Sequence, residues 1–196
     1  MKYMFASDIH GSAYYCRKML EAFRGEGAER LVLLGDLLYH GPRNDLPREY
    51  APKQVIAMLN EGKDRIYAVR GNCEAEVDQM VLDFPVMADY CILALAGRTF
   101  YATHGHIYNE GNLPPMMPGD ILIHGHTHVQ QIKRVGDCLI LNPGSVALPK
   151  EGNPPTYAVL DDRLFQIKDF EGKIVQQLSL DGALLPTEGI NIDEQI

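Results

Sequence analysis

The spacing of apolar and polar positions changes character halfway along the chain. Residues 2–7 form a short apolar run, the pattern of a strand buried on both faces. Ser12 then stands where a helix N-cap belongs, ahead of Met19, Leu20 and Phe23 at helical spacing, and Gly25 and Gly27 supply the stop. Residues 30–34 read as a second buried strand, with Leu31, Val32, Leu33 and Leu34 unbroken. A polar, proline-rich loop spans 41–52. Val55, Ile56 and Leu59 predict a short helix ending at Gly62, and 65–69 a third strand. Strands alternating with helices predict βαβ units and a parallel sheet.

Beyond residue 90 the pattern is mostly that of hairpins. Residues 91–95 and 99–103 flank Ala96-Gly97-Arg98, and 129–135 and 138–141 flank Gly136-Asp137. Residues 121–123 are short and apolar, and 157–160, 164–169 and 173–178 continue the strand series, with Glu171-Gly172 as the last turn. A parallel first half and a mostly antiparallel second half fit an α/β fold of two sheets packed face to face, with helices outside. At 196 residues the chain has the size of one domain, expected over 1–180. Residues 181–196 lack periodicity and carry Asp181, Glu188, Asp193 and Glu194 without a Lys or Arg, so they read as an acidic C-terminal tail.

Charge narrows the partners. Lys plus Arg number 18 against 26 Asp plus Glu, for a net −8, which argues against a polymeric nucleic-acid partner. No apolar run is long enough to predict a membrane span. The N-terminal stretch is too short and polar for a signal peptide. Cys16, Cys73, Cys91 and Cys138 form no CxxC pair, so free thiols in a reducing cytoplasm are expected.

Candidate chemistry is concentrated. Six of the seven histidines, His10, His104, His106, His124, His126 and His128, fall in three short stretches at the ends of predicted strands. Asp8-Ile9-His10, Gly35-Asp36, Gly71-Asn72-Cys73-Glu74, Thr103-His104-Gly105-His106 and Gly125-His126-Thr127-His128 all lie where α/β proteins build sites. Carboxylate, imidazole and amide oxygen are metal ligands. Seven such residues are too many for one transition-metal ion and suit two that share a carboxylate. Two divalent ions offset by Asp8, Asp36 and a hydroxide would leave a positive remainder, which attracts an anionic substrate and points to phosphoester hydrolysis.

Asp8-x-His10, Gly35-Asp36, Gly71-Asn72, His104 and Gly125-His126-x-His128, in this order, resemble the calcineurin-like metallophosphoesterases, and within them the YfcE-type phosphodiesterase branch. The likeness runs to about residue 180. The resemblance implies two mixed β-sheets in a sandwich flanked by helices. It implies a first ion on Asp8, His10, Asp36 and His128 and a second on Asp36, Asn72, His104 and His126, with Asp36 bridging and a metal-bound hydroxide attacking phosphorus. Two divalent ions, Mn²⁺ first and Fe, Zn, Ni or Mg as alternatives, are the implied cofactors, and the implied activity is phosphodiester hydrolysis on a small phosphodiester substrate.

One departure matters. Many family members carry His directly after the Asn; here Cys73 stands there. A thiol brings no positive charge, which favours diesters over dianionic monoesters. His106 is the candidate to compensate, so Asp36, Asn72, His106 and Cys73 are the expected catalytic residues. His124 reads as a residue behind the ligands, and Arg43 and Arg70 as either phosphate clamps or solvated side chains. Tyr14 and Tyr15 suit the cleft or the core equally. Pro114, Pro115, Met116, Met117 and Pro118 suit a cleft rim or a subunit contact, which leaves a homo-oligomer open. Two rival functions stand beside the diesterase. One is a protein-interaction scaffold, since the fold also resembles the retromer scaffold subunit; the other is a phosphomonoesterase or nucleotide hydrolase.

Overall fold

Strand β1 (Tyr3–Ala6) sends alternate side chains to opposite faces, and this places it between two cores. Met4 and Ala6 join one apolar cluster and Phe5 the other. The computed structural model describes residues 1–181. β1 pairs in parallel with β2 (Arg30–Leu33), which pairs in parallel with β3 (Ile66–Ala68). Helix α1 (Ala13–Gly25) connects the first two, and its Ser12 Oγ accepts the Tyr15 N–H at 3.2 Å, as the sequence predicts. Cys16, Met19, Leu20 and Phe23 of α1 and Val55 and Leu59 of α2 (Pro52–Glu61) cover the Met4 face.

The short helix α3 (Glu76–Val81) is not predicted from the sequence. It buries none of its residues, and Val77 and Met80 are exposed, so its apolar positions carry no helical period to read.

The second sheet consists of β4 (Tyr90–Leu95), β5 (Arg98–Thr103), β6 (Ile121–Ile123), β7 (Gln130–Val135) and β8 (Cys138–Pro143), in the order β4-β5-β6-β8-β7. Its outer pairs are the predicted hairpins. β4 turns into β5 through Ala96 and Gly97, both at positive φ. Its centre is different: β5, β6 and β8 run parallel. β9 (Thr156–Asp161), β10 (Leu164–Asp169) and β11 (Ile174–Ser179) then return to the first sheet, giving β11-β10-β9-β1-β2-β3 with β9 antiparallel to β1. Both sheets are therefore mixed. Phe5, Phe100 and Phe165 meet between them, with ring centroids 6.3 and 6.4 Å apart. The helix residues that reach a core reach the first sheet's outer face; on the second sheet Tyr90 and Ile92 of β4 are exposed.

An ion-pair cluster fastens α1 to the sheet. Glu26, just past α1, accepts from Lys168 at 2.9 Å and from the Tyr157 hydroxyl at 3.1 Å, with Lys2 at 3.7 Å. Burial raises the Glu26 pKa, but Lys168, Tyr157 and Lys2 together outweigh it and hold the carboxyl below its ordinary value. A depressed folded-state pKa gives stability that is complete above the unfolded value and lost as pH falls through the folded one. Glu26→Gln is therefore expected to cost about 1 kcal/mol at pH 7 and clearly less at pH 3. Urea midpoints at the two pH values measure this, and an equal loss at both would refute it.

Candidate metal centre

Each predicted site residue lies just past the carboxyl end of a parallel strand. Asp8 and His10 follow β1, Asp36 follows β2, Asn72 follows β3, His104 follows β5, and His126 and His128 follow β6. The sandwich brings these ends to one edge, and all seven meet there. Asp8, His10, Asp36, His104 and His128 are buried, whereas Asn72 is exposed.

The local backbone is costly. Asp8, His10, Asp36, His126 and His128 all sit at positive φ, between 49° and 66°, a region that L residues avoid. Five such residues in one place require the surrounding contacts to hold them, and the contacts are present. Glu74, buried behind Asp36, accepts three backbone N–H groups: Asp36 at 2.9 Å, Leu37 at 2.7 Å and Gly71 at 2.5 Å. Burial and the neighbouring Asp36 carboxylate raise its pKa, and those backbone donors pull it back. Asn142 donates to the Gly125 carbonyl at 2.8 Å and to Thr127 Oγ1 at 3.0 Å. Ser145 Oγ donates to the Asp8 carbonyl at 2.9 Å. Gly71 and Gly125 permit close approach, because a Cβ on Gly71 would meet Asp36 Oδ1 and one on Gly125 would meet Ser7 Oγ.

The imidazoles are oriented by the same means. His10 Nδ1 donates to the Tyr39 carbonyl at 2.8 Å, His104 Nδ1 to Leu34 at 2.7 Å and His128 Nδ1 to Leu148 at 2.5 Å. In the neutral rings each Nε2 then carries a lone pair, and the Nε2 atoms converge. His10 Nε2 and His128 Nε2 face each other at 3.3 Å. Asp8 Oδ1, buried and without a hydrogen-bond partner, lies 3.6 Å from the first and 3.3 Å from the second. On the other side, His104 Nε2 meets Asn72 Oδ1 at 3.1 Å and His126 Nδ1 at 3.2 Å. Asp36 lies between the two groups, Oδ2 3.7 Å from His10 Nε2 and Oδ1 3.5 Å from His104 Nε2.

Acceptors that face one another repel unless something positive lies between them. A proton satisfies one contact at a time, whereas a cation at the focus takes lone pairs from all of them. The donor set therefore fits divalent metal. Asp8, His10 and His128 form one cluster with metal-binding spacing, and Asp8, Asp36 and His104 another. Burial raises the Asp8 pKa, but the His10, His128 and His104 rings around it outweigh that and hold the carboxyl well below the carboxylate range. Burial and His104 push His126 down to about 4, so its ring is neutral and free to ligate.

The sequence profile of the calcineurin-like phosphoesterase superfamily domain matches residues 1–163. The chain belongs to that family. It is 47% identical over 167 residues to Phosphodiesterase YfcE of Escherichia coli strain K12, covering 85% of this chain and 91% of that one. Phosphodiesterase MJ0936 of Methanocaldococcus jannaschii is 26% identical over 82% of this chain and 93% of its own. The solved structure of Yfce, a phosphoesterase from E. coli, superposes with a TM-score of 0.90 at 44% identity, covering 92% of this chain and all of that one.

The remaining candidates fall in distinct places. His106 lies beside the cluster, its ring centroid 5.4 Å from that of His104, and its Nδ1 is buried without a partner. Cys73 N–H donates to Asp36 Oδ1 at 2.9 Å, and Sγ is within reach of the same cluster. Burial, then Asp36, pushes that thiol well up, so it stays protonated. His124 is buried behind the ligands with Nδ1 3.0 Å from the Gly125 carbonyl. Arg70 is bound to Asp89 at 2.7 Å, and Arg43 is exposed in its loop. Tyr14 stacks under the Arg48 guanidinium, 3.6 Å from the ring centre, and Tyr15 packs near Phe170. The Pro115 carbonyl accepts the Tyr101 hydroxyl at 2.8 Å, which ties the proline-rich stretch to the second sheet. All four cysteines are free. Among the described residues no helix is long and apolar enough to cross a membrane. The predicted tail lies outside the described residues except for Asp181.

Sequence reasoning places Glu74 in a candidate stretch without giving it a role, and does not single out Asn142 or Ser145. Glu74 stands next to Gly71-Asn72-Cys73, and Asn142 and Ser145 flank Pro143-Gly144 at the end of a buried strand. Adjacency is the only signal they offer, because their work is to hold backbone.

Proposed function

We propose that the chain is a dinuclear metal-dependent phosphodiesterase. The observation that carries this reading is the pair of converging lone-pair groups with one oxygen of Asp36 turned to each. Asp8, His10 and His128 would hold one ion, and Asn72, His104 and His126 the other, with Asp36 shared. Divalent ions bound there supply a lowered pKa for water and positive charge for the phosphoryl oxygens. Mn²⁺ suits these mixed oxygen and nitrogen donors, as do Fe, Zn, Ni and Mg. YfcE and MJ0936 carry the name phosphodiesterase, which supports the same reaction class for this chain.

The chain's own residues set the preference. Cys73 is neutral at the position beside Asn72, so no side-chain cation there receives the second negative charge of a monoester. His106 stands beside His104, where it can touch a phosphoryl oxygen or the departing alcohol. The three carbonyl-tethered imidazoles hold their Nε2 atoms without reorganisation during turnover.

The test is hydrolysis of bis(4-nitrophenyl) phosphate and of 4-nitrophenyl phosphate before chelation, after it, and after Mn²⁺ is restored. The expected result is cleavage of the diester that disappears on chelation and returns with Mn²⁺, with slower release from the monoester. Faster monoester cleavage would refute the diester preference. No cleavage of either by folded, metal-loaded protein would refute the enzyme.

A further inference from the structure

A cavity of about 480 Å³ opens beside the His104–His126 side of the metal centre. That volume falls in the range of small-molecule sites. His106, His124, His126, Thr127, Glu110 and Gln131 are among its walls. No lysine or arginine lines it among the described residues.

Two of its polar groups offer acceptor atoms to which nothing donates among the described residues. His124 Nδ1 lies 3.0 Å from the Gly125 carbonyl and 3.4 Å from Asn142 Nδ2, whose two hydrogens go to nearer acceptors, the Gly125 carbonyl and Thr127 Oγ1; the tautomer with its hydrogen on Nδ1 therefore fits best and leaves a lone pair on Nε2. That Nε2 is buried and has no partner, on a ring only 2% exposed. Glu110 Oε2 accepts from Lys133 Nζ at 3.1 Å and Gln131 Nε2 at 3.3 Å. Both bonds end on the same oxygen, and among the described residues nothing donates to Oε1. Lys133 offsets the Glu110 charge, and Glu151 adds a further carboxylate to the wall. A second anionic group would be repelled here, whereas hydroxyl hydrogens find acceptors.

We propose that this cavity is the subsite for one alcohol of the diester, and that it takes an uncharged polyhydroxy group such as glycerol or a sugar. His124 Nε2 and Glu110 Oε1 accept from its hydroxyls. The proposal deepens the phosphodiesterase reading and rests on it.

Two diesters with the same leaving group and charge test it: glyceryl 4-nitrophenyl phosphate and ethyl 4-nitrophenyl phosphate, with Mn²⁺-loaded protein. Two hydroxyl contacts predict a kcat/KM about tenfold higher for the glyceryl ester. In Glu110→Ala, which leaves the His124 contact, that ratio is expected to fall to about threefold. A readout independent of turnover is the Gln131 side-chain amide resonance, which is expected to shift on titration with glyceryl methyl phosphate. Equal rates for the two esters would overturn the subsite and leave the diesterase standing. A stronger preference for an ethanolamine ester would also overturn it, by showing an ammonium site. A resonance shift without hydrolysis of either ester would support the subsite while the enzyme reading failed; neither shift nor hydrolysis would sink both.

Discussion

Asp36→Asn is expected to lower kcat/KM for a diester by at least about 100-fold and to weaken retention of metal. The substitution is nearly isosteric, so its effect is electrostatic. Asp36 turns one oxygen toward His10 and the other toward His104, and Oδ1 also accepts the Cys73 N–H. An amide offers one acceptor atom where the carboxylate offers two, and it removes a negative charge from between the two proposed ion sites. The Asp36 N–H still donates to Glu74, so the fold is expected to survive, and circular dichroism checks that. Full activity and full metal content in the variant would remove Asp36 from its bridging role.

Glu74→Ala is expected to be the most damaging single change to stability outside the apolar core. It leaves three buried backbone donors, on Asp36, Leu37 and Gly71, without an acceptor. Each orphaned donor costs about 1–3 kcal/mol, and the losses overlap, so the net is about 3–5 kcal/mol by urea unfolding of chelated protein. The same three bonds join the loop after β2 to the loop after β3, so Asp36 and Asn72 are expected to separate and metal affinity to fall with stability. Glu74→Gln keeps one acceptor atom but sets an amide N–H₂ against a backbone N–H, and it is expected to fall between the two. A loss under about 1 kcal/mol for the alanine variant would show that solvent or a rearranged loop satisfies those donors.

What the sequence made legible follows from how local each signal is. The strands β1 and β2, the Ser12 cap and the Ala96-Gly97 turn are written within a few residues, and all four appear in the structure. The parallel core of the second sheet is not local. β6 has three apolar residues, and nothing in Ile121, Leu122 and Ile123 says which strands will flank them. The return of β9 to pair with β1 links residues more than 150 positions apart along the chain, Tyr3 to Leu160 and Phe5 to Ala158. No window of sequence contains that pairing.

At the site, residue type and order revealed the histidines and aspartates because metal ligation needs those groups at strand ends. Residue type does not reveal conformation. Aspartate and histidine tolerate positive φ without announcing it, so the strain at Asp8, His10, Asp36, His126 and His128 is visible only in the fold. Nor does it reveal support. Glu74, Asn142 and Ser145 act through backbone atoms of other loops, and a hydrogen bond to a distant carbonyl leaves no pattern in the sequence.

The central claim is that both donor groups are filled for turnover. The most direct measurement is diester hydrolysis by chelated protein as Mn²⁺ is added stepwise, with bound metal counted at each point. Activity is expected to be absent in the metal-free protein and to reach its plateau at about two ions per chain. Hydrolysis without metal, or a plateau at about one ion per chain, would contradict a shared Asp36 and a two-ion site.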